Sequence, residues 1–331
     1  MNYSPIHTHT EFSLLDGAIR IPELVDYLVE LGIESCAITD HGWMGGCIEF
    51  YKECNKKKIK PLLGFEAYLT DDPNRIEQKT RDNYHLVLIA KDNEGYSKLL
   101  NLCSQAHTEN FYYKPRIFRP FLKELSGHVV ALSACLASSL GKRLVFNIDS
   151  YGRAINCTDP EGIVQKEIEF YLEIFKDDFY LEIQAHNEED RRQEYYNQFL
   201  KEAGRKLGIP LVITTDAHFL KKEDFALHEM VMAMQLKLTL DQYRSTEGMH
   251  YGPEFYVQTP NELLMAAKRF DCEEAYSNTV RVADKCNVDI ELGVYKPPIF
   301  RIEREKDYSD FKRWLEKNND RIQRKMGISN P

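Results

Sequence analysis

Along the first two-thirds of the chain, short apolar runs alternate with stretches whose apolar residues recur at helical spacing. Residues 3–9 read as a short strand. Pro22 then opens a helix over 23–31, in which Leu24, Leu28 and Leu31 share one face and after which Gly32 stops the turn. Buried strands are expected at 33–39, 61–69, 85–90, 128–133, 179–184 and 211–215. Helices are expected at 46–57, 94–107, 163–175 and 188–207, the last ended by Gly208-Ile209-Pro210. Residues 71–83 read as a polar loop, 109–120 as an aromatic-basic loop and 141–162 as an irregular excursion. Beyond about residue 222 the pattern is helical, Pro297-Pro298 marks a boundary, and 307–325 is one strongly charged helix.

Seven strands mostly separated by helices imply a mainly parallel sheet with crossover helices. If such units close into a barrel, the residues just past the strand C-termini form one rim. The expected organisation is a barrel core over 1–221, a helical completion over 222–296, and a linker with a charged helix over 297–331.

Composition changes this picture little. With 43% apolar and 29% charged residues the chain is an ordinary water-soluble globular protein. A net charge of −9 argues against coating nucleic acid by bulk electrostatics, while suiting a site that gathers cations. The eight cysteines show no Cys-x-x-Cys pair and read as reduced thiols in a cytoplasmic protein. Residues 1–9 read as too polar and too short for a signal peptide, and no apolar run approaches membrane-spanning length. The cluster of Lys56, Lys57, Lys58 and Lys60 reads as a solvated helix end.

Candidate chemistry concentrates on the rim. His7 and His9 lie two apart on an extended run, so their imidazoles share a face about 7 Å apart. Asp16 adds a carboxylate just before Gly17, where the chain turns. Asp40-His41, Cys135, His186 and Asp216-Ala217-His218 follow strand ends, and Glu66 lies near the end of its own strand. Imidazole, carboxylate and thiolate together suit zinc, manganese or iron, and clustered ions are a standard means of cutting a phosphate ester. His85 and Cys135 stay candidates at this point. His85 begins its strand, which puts it at the wrong end for the rim, and Cys135 reads equally as a small buried hydrophobe. Asp40 reads as a cap for the helix that follows.

The ordered motifs resemble a known family. They are His7-x-His9-Thr10-x-x-Ser13-x-Leu15-Asp16-Gly17, Thr39-Asp40-His41-Gly42, Gly64-x-Glu66-Ala67-Tyr68, Tyr84-His85-Leu86-x-Leu88-x-Ala90, Phe111-Tyr112-Tyr113-Lys114-Pro115-Arg116, Leu132-Ser133-x-Cys135, Tyr180-Leu181-Glu182-Ile183-Gln184-x-His186 and Thr214-x-Asp216-x-His218. Together, from about residue 7 to 300, they resemble the PHP (polymerase and histidinol phosphatase) domain of bacterial DNA polymerase III alpha subunits. The resemblance implies an α/β fold, a distorted seven-stranded (β/α)7 TIM-like barrel with a C-terminal helical extension. It implies nine ligands for two or three divalent ions (Zn, Mn or Fe), matching His7, His9, Asp16, His41, Glu66, His85, Cys135, Asp216 and His218.

It further implies a metal-dependent phosphoesterase, a 3′→5′ exonuclease acting on a DNA 3′ end, with Glu66 and Asp216 acting through bound metal and water. Tyr112, Tyr113, Lys114 and Arg116 would contact the nucleic acid. Partners would be DNA, the polymerase portion of a replicase and other replisome subunits, with no membrane. Two alternatives stay open: a non-catalytic, metal-stabilised module that docks a polymerase or exonuclease, and a small-molecule phosphatase of the histidinol-phosphate type. Asn110 stands where the family has glycine, and the 141–162 excursion exceeds the family's usual connection. The chain stops at Pro331, so no polymerase active site is expected in it.

Overall fold

In the computed structural model, residues 3–71, 82–145, 159–186, 191–246, 251–294 and 305–326 are described. Most of the polar loop at 71–83, the middle of the 141–162 excursion, and the Pro297-Pro298 boundary lie outside them. The chain forms two compact units, Met1–Asp289 and Ile290–Pro331. Among its described residues the second has one helix, Glu305–Met326, with mostly exposed residues.

The first unit is an α/β fold around one curled, mixed sheet. Its strands are β1 (Ser35–Ile38), β2 (Lys60–Thr70), β3 (Tyr84–Ala90), β4 (Phe111–Tyr112), β5 (Lys114–Phe118), β6 (Val129–Leu132), β7 (Phe179–Gln184) and β8 (Leu211–Thr214). β1 pairs parallel with β2, β6 with β7, and β7 with β8. β3 runs antiparallel to both of its neighbours, β2 and β6. The helices are α1 (Ile21–Glu30), α2 (Cys47–Lys57), α3 (Asn93–Thr108), α4 (Ser139–Val145), α5 (Pro160–Phe175), α6 (Arg191–Leu207), α7 (Phe225–Leu236), α8 (Leu240–Ser245), α9 (Pro260–Arg269) and α10 (Glu273–Lys285).

The expected first strand is an extended segment and not a full ladder partner. It joins the two edges of the sheet: Pro5 and Thr8 carbonyls accept from Ala37 and Thr39, while His9 donates to Ala217 and Ala217 donates to His7. The ladder is interrupted for local reasons. Pro5 has no N–H, and the Thr8 N–H goes to the Thr39 hydroxyl at 2.7 Å. This segment with β1, β2, β3, β6, β7 and β8 makes the seven staves of a distorted barrel. The aromatic-basic stretch is a hairpin, β4 and β5, and not a loop; β5 extends the far half of β2 through the Tyr68–Arg116 to Thr70–Phe118 register.

Strand alternation writes two ends into the barrel interior. Ile6, Leu62, Val87, Ile89, Val130, Leu132, Tyr180 and Val212 pack into one apolar cluster with Val282, Ala283 and Cys286 at the end of α10. Stepping along the same faces in twos gives Glu66 beyond Leu62, His85 beyond Val87, Glu182 beyond Tyr180, and Thr214 and Asp216 beyond Val212. One end of the barrel is therefore oil and the other is a polar, chemically equipped rim. Among the described residues no helix is long and apolar enough to cross a membrane.

Candidate metal centre

The loops at the polar rim are held by backbone geometry that few residues tolerate. Leu15, Ala134 and Asp216 adopt left-handed backbone, with φ of 61°, 59° and 48°, immediately before Asp16, immediately before Cys135, and at Asp216 itself. Gly42, directly after His41, has φ 60° and lies so close to Tyr68 and Pro115 that a side chain would clash. Gly17 has no room either: a Cβ there would meet the Thr10 carbonyl at 2.2 Å, and this close approach closes the loop that presents Asp16.

These loops bring all nine rim candidates together. His7 Nε2 lies 3.5 Å from Glu66 Oε1 and 3.2 Å from Asp216 Oδ1, and His9 Nε2 is 3.1 Å from the same Asp216 oxygen. His41 reaches Glu66 through Nδ1 at 2.6 Å and Asp16 through Nε2 at 3.2 Å. His85 Nδ1 sits 3.0 Å from Glu66 Oε2 and 3.5 Å from Cys135 Sγ. His218 Nε2 is 3.9 Å from Asp16 Oδ1. Donor atoms of His7, His9 and Glu66, of His41, Glu66 and His85, and of His9, His41 and His218 each fall within 4.8 Å of one another.

His85 stands on the rim because β3 runs antiparallel to its neighbours. The objection that it begins its strand assumed a parallel strand; reversal puts the start of β3 beside the ends of β2 and β6.

The atoms themselves argue for a cation. His7 Nε2, His9 Nε2, Asp16 Oδ1, His41 Nδ1, both Glu66 oxygens, Asp216 Oδ1 and His218 Nε2 are buried and make no well-directed hydrogen bond, crowding instead against one another. Orphaned polar atoms are rare and cost about 1–3 kcal/mol each, so eight in one place is a set of groups missing a shared counterpart. Imidazole, carboxylate and thiol donors at these separations fit divalent metal ions.

Electrostatics point the same way. Burial alone would raise the Glu66 carboxyl, but His85 and His41 beside it hold it well below the usual carboxylate range. Asp216 is likewise pushed up by burial and drawn well down by His7, His218 and His9. Burial, His41 and His218 keep His9 neutral, which is the ligating form of imidazole. Burial opposes protonation of His7, yet Asp216 and Glu182 outweigh it and raise the imidazole. Burial and the nearby Glu66 and Asp216 push the Cys135 thiol well up, so it takes a cation to make it a thiolate.

A second layer orients these groups, and sequence reasoning missed it. Glu182 Oε1 accepts from His7 Nδ1 at 2.6 Å and from the Thr214 hydroxyl at 2.5 Å, which turns His7 Nε2 toward Glu66 and Asp216. Gln184 donates to the other Asp216 oxygen, Oδ2, at 3.2 Å. Asp40 caps no helix. It accepts from the Thr10 N–H (2.6 Å) and hydroxyl (2.8 Å) and from the Ser13 hydroxyl (2.7 Å), tying the His9–Asp16 loop to the His41 loop. His228 Nε2 hydrogen-bonds the Asp16 carbonyl at 2.9 Å. A charged residue inside a fully buried strand, as Glu182 is in β7, was the available signal.

His186, also a strand-end residue, is buried: its Nε2 donates to the Thr215 carbonyl at 3.0 Å and its ring packs at a tilt against Phe255. It is not among the convergent donors.

The four expected nucleic-acid contacts separate. Tyr113, with φ 59°, is 60% exposed at the turn of the β4–β5 hairpin, and Tyr112 packs edge-on against it. Lys114 Nζ donates to the Tyr68 hydroxyl at 3.2 Å. Arg116 is 2% exposed and ion-paired to Asp82 at 3.1 Å, in the buried middle of β5 between Pro115 and Ile117. That position departs from the surface role expected of it.

The PHP domain family matches residues 5–186. DNA polymerase III subunit alpha of Helicobacter pylori strain 26695 is 38% identical over 309 residues, covering 90% of this chain and 24% of that protein. The Thermus aquaticus subunit is 36% identical over 312 residues, with 91% and 24% covered. The chain thus spans about a quarter of the length of these relatives. Among solved structures, a protein from Bifidobacterium adolescentis described as a metal-dependent phosphoesterase aligns with TM-score 0.39 at 16% identity, over 66% of this chain and 88% of its own. An amidohydrolase from Chromobacterium violaceum aligns with TM-score 0.37 at 13% identity, over 66% and 88%.

Proposed function

The chain belongs to the PHP domain family, and from that premise we propose that it is a metal-dependent phosphoesterase, the PHP domain of a DNA polymerase III alpha-type protein that removes nucleotides from DNA 3′ ends. One observation carries the reading: eight buried donor atoms without a well-directed hydrogen bond, from His7, His9, Asp16, His41, Glu66, Asp216 and His218, converge on a single rim. His85 and Cys135 complete the donor set at the Glu66 side. The relatives' name supports DNA and replisome subunits as partners and the cytoplasm as location, and Tyr113 with Tyr112 and Lys114 offers an exposed edge for a terminal base.

Divalent ions bound there supply an activated water and charge stabilisation for a leaving oxygen. The chain's own residues do the rest. Glu66 presents one oxygen toward His7 and the other toward His41 and His85, an arrangement suited to bridging two ions. Asp216 Oδ1 serves the His7–His9 side, with its second oxygen held by Gln184. Glu182 accepts from His7 Nδ1, which would leave Nε2 as the nitrogen to meet an ion.

The test is incubation of the protein and Mn²⁺ or Zn²⁺ with 3′-labelled single-stranded and mismatched primer DNA. Nucleotide release by wild type, lost in folded Asp216→Asn and His9→Ala variants, is the expected result. Stoichiometric metal without nucleotide release would identify a structural module. Cleavage of a small phosphomonoester with DNA left intact would identify a small-molecule phosphatase.

A further inference from the structure

Among the described residues no carboxylate forms an ion pair with Lys142. It lies on α4, one helical turn beyond Ser138, which bridges to His85. Its ammonium donates to Asn83 Oδ1 at 3.0 Å and sits 5.3 Å from the centre of the Tyr84 ring. The charge of this ammonium acts on the His85 imidazole, two residues on from Asn83, and Lys142 thus stands on the His85 side of the metal centre. Its neighbours are neutralised: Arg143 pairs with Asp71 and Glu167, and Arg119 with the same two carboxylates. Among the described residues Lys142 has no such partner, although its side chain is largely removed from water. Burial pulls its ammonium below the usual lysine range, with Cys135 and Asp82 acting in opposition.

Withdrawing a charge from water without a counter-ion is costly, and a neutral amide and a ring face offset only part of that cost. A half-buried ammonium with no ion-pair partner among the described residues, beside a cluster of metal-type donors, is suited to receive an anion. We propose that Lys142 binds the phosphate group of the substrate at the His85–Cys135 edge of the centre, neutralising an oxygen that faces away from the ions. This deepens the phosphoesterase reading and rests on it for the identity of the anion. The lysine is a point-charge donor with three N–H groups, so it keeps its bond to Asn83 while donating to a phosphate oxygen.

The experiment titrates inorganic phosphate into the Mn²⁺-loaded full chain by calorimetry, for wild type, Lys142→Gln and Lys142→Arg, with metal content measured on each. The expected result is binding weakened about tenfold or more in Lys142→Gln, largely retained in Lys142→Arg, at unchanged metal stoichiometry. KM for a phosphodiester should rise in Lys142→Gln more than kcat falls. Wild-type phosphate affinity in Lys142→Gln overturns the proposal, as does absence of phosphate binding in wild type. Loss of metal from Lys142→Gln also overturns it, since the lysine then serves to balance the Cys135 thiolate. If phosphate binding depends on Lys142 but wild type hydrolyses no phosphate ester, the anion site stands and the phosphoesterase reading falls.

Discussion

His85 Nδ1 lies 3.0 Å from Glu66 Oε2 across two strands that run in opposite directions. Residue 85 opens β3 and residue 66 lies well along β2, yet both face the same rim because β3 is the reversed stave. The same imidazole nitrogen is 3.5 Å from Cys135 Sγ, so His85 joins the shared carboxylate to the thiol. Replacing His85 with alanine should lower the bound metal by about one ion per chain while leaving far-UV circular dichroism unchanged. Elemental analysis after dialysis decides it, and full metal content in the variant would remove His85 from the ligand set.

Glu182 is the residue whose loss should look like loss of a ligand although its Oε1 is engaged by His7 and Thr214. Glu182→Gln keeps the shape and removes the charge that fixes the His7 tautomer. Such outer partners typically contribute 10–100-fold in metal affinity or activity. Competition titration with a chromogenic chelator should show a loss of about that size, and an unchanged affinity would count against the role.

Metal removal should destabilise the fold. Eight buried donor atoms stay uncompensated without cations, and a site held a thousandfold above its Kd contributes about 4 kcal/mol. Thermal unfolding with chelator should begin lower, and added Zn²⁺ or Mn²⁺ should restore the midpoint. Coincident melting curves with and without chelator would show that the cluster is satisfied in some other way.

Acid should destabilise the metal-free protein through buried histidines. Burial lowers His186 to about 4, with Asp216 opposing. It lowers His228 to about 4 as well, with His218 adding to the effect. In the unfolded chain each titrates near 6.5. The folded state thus binds fewer protons, so the contribution is fully present above pH 6.5 and declines as pH falls toward 4. For His186 this amounts to about 3 kcal/mol. With chelator present, the unfolding midpoint of wild type should fall across that window, and His186→Gln should show a shallower slope. Equal slopes would exclude His186 as the source.

Arg116 should matter for stability and not for DNA. Its guanidinium is buried against Asp82 at 3.1 Å, and removing one partner of a buried pair costs about 3–5 kcal/mol. Arg116→Ala should therefore lower the denaturant midpoint sharply. Tyr113→Ala, at an exposed hairpin turn, should leave it unchanged and weaken single-stranded DNA binding instead. The reverse pattern would restore Arg116 to the binding surface.

The sequence by itself determined the staves and the chemistry of the rim. Period-two alternation places Leu62 and Glu66, Val87 and His85, and Val212 and Asp216 on common faces, and His7-Thr8-His9 aims two imidazoles one way. Helix ends were also legible where local chemistry is decisive, as with Pro22 and Gly32 around α1. The tertiary structure alone decided the direction of β3, because an apolar run reads the same in both directions. The 71–83 stretch held the clue: a parallel crossover normally needs a helix there, and the pattern offers none. Side-chain partners were equally out of reach. Asp40 precedes a helix yet serves Thr10 and Ser13, Glu182 serves His7 from 175 residues away, and Arg116 turns inward to Asp82. Spacing fixes which residues share a face, whereas the counter-charge each one meets depends on which strands the closed sheet brings opposite.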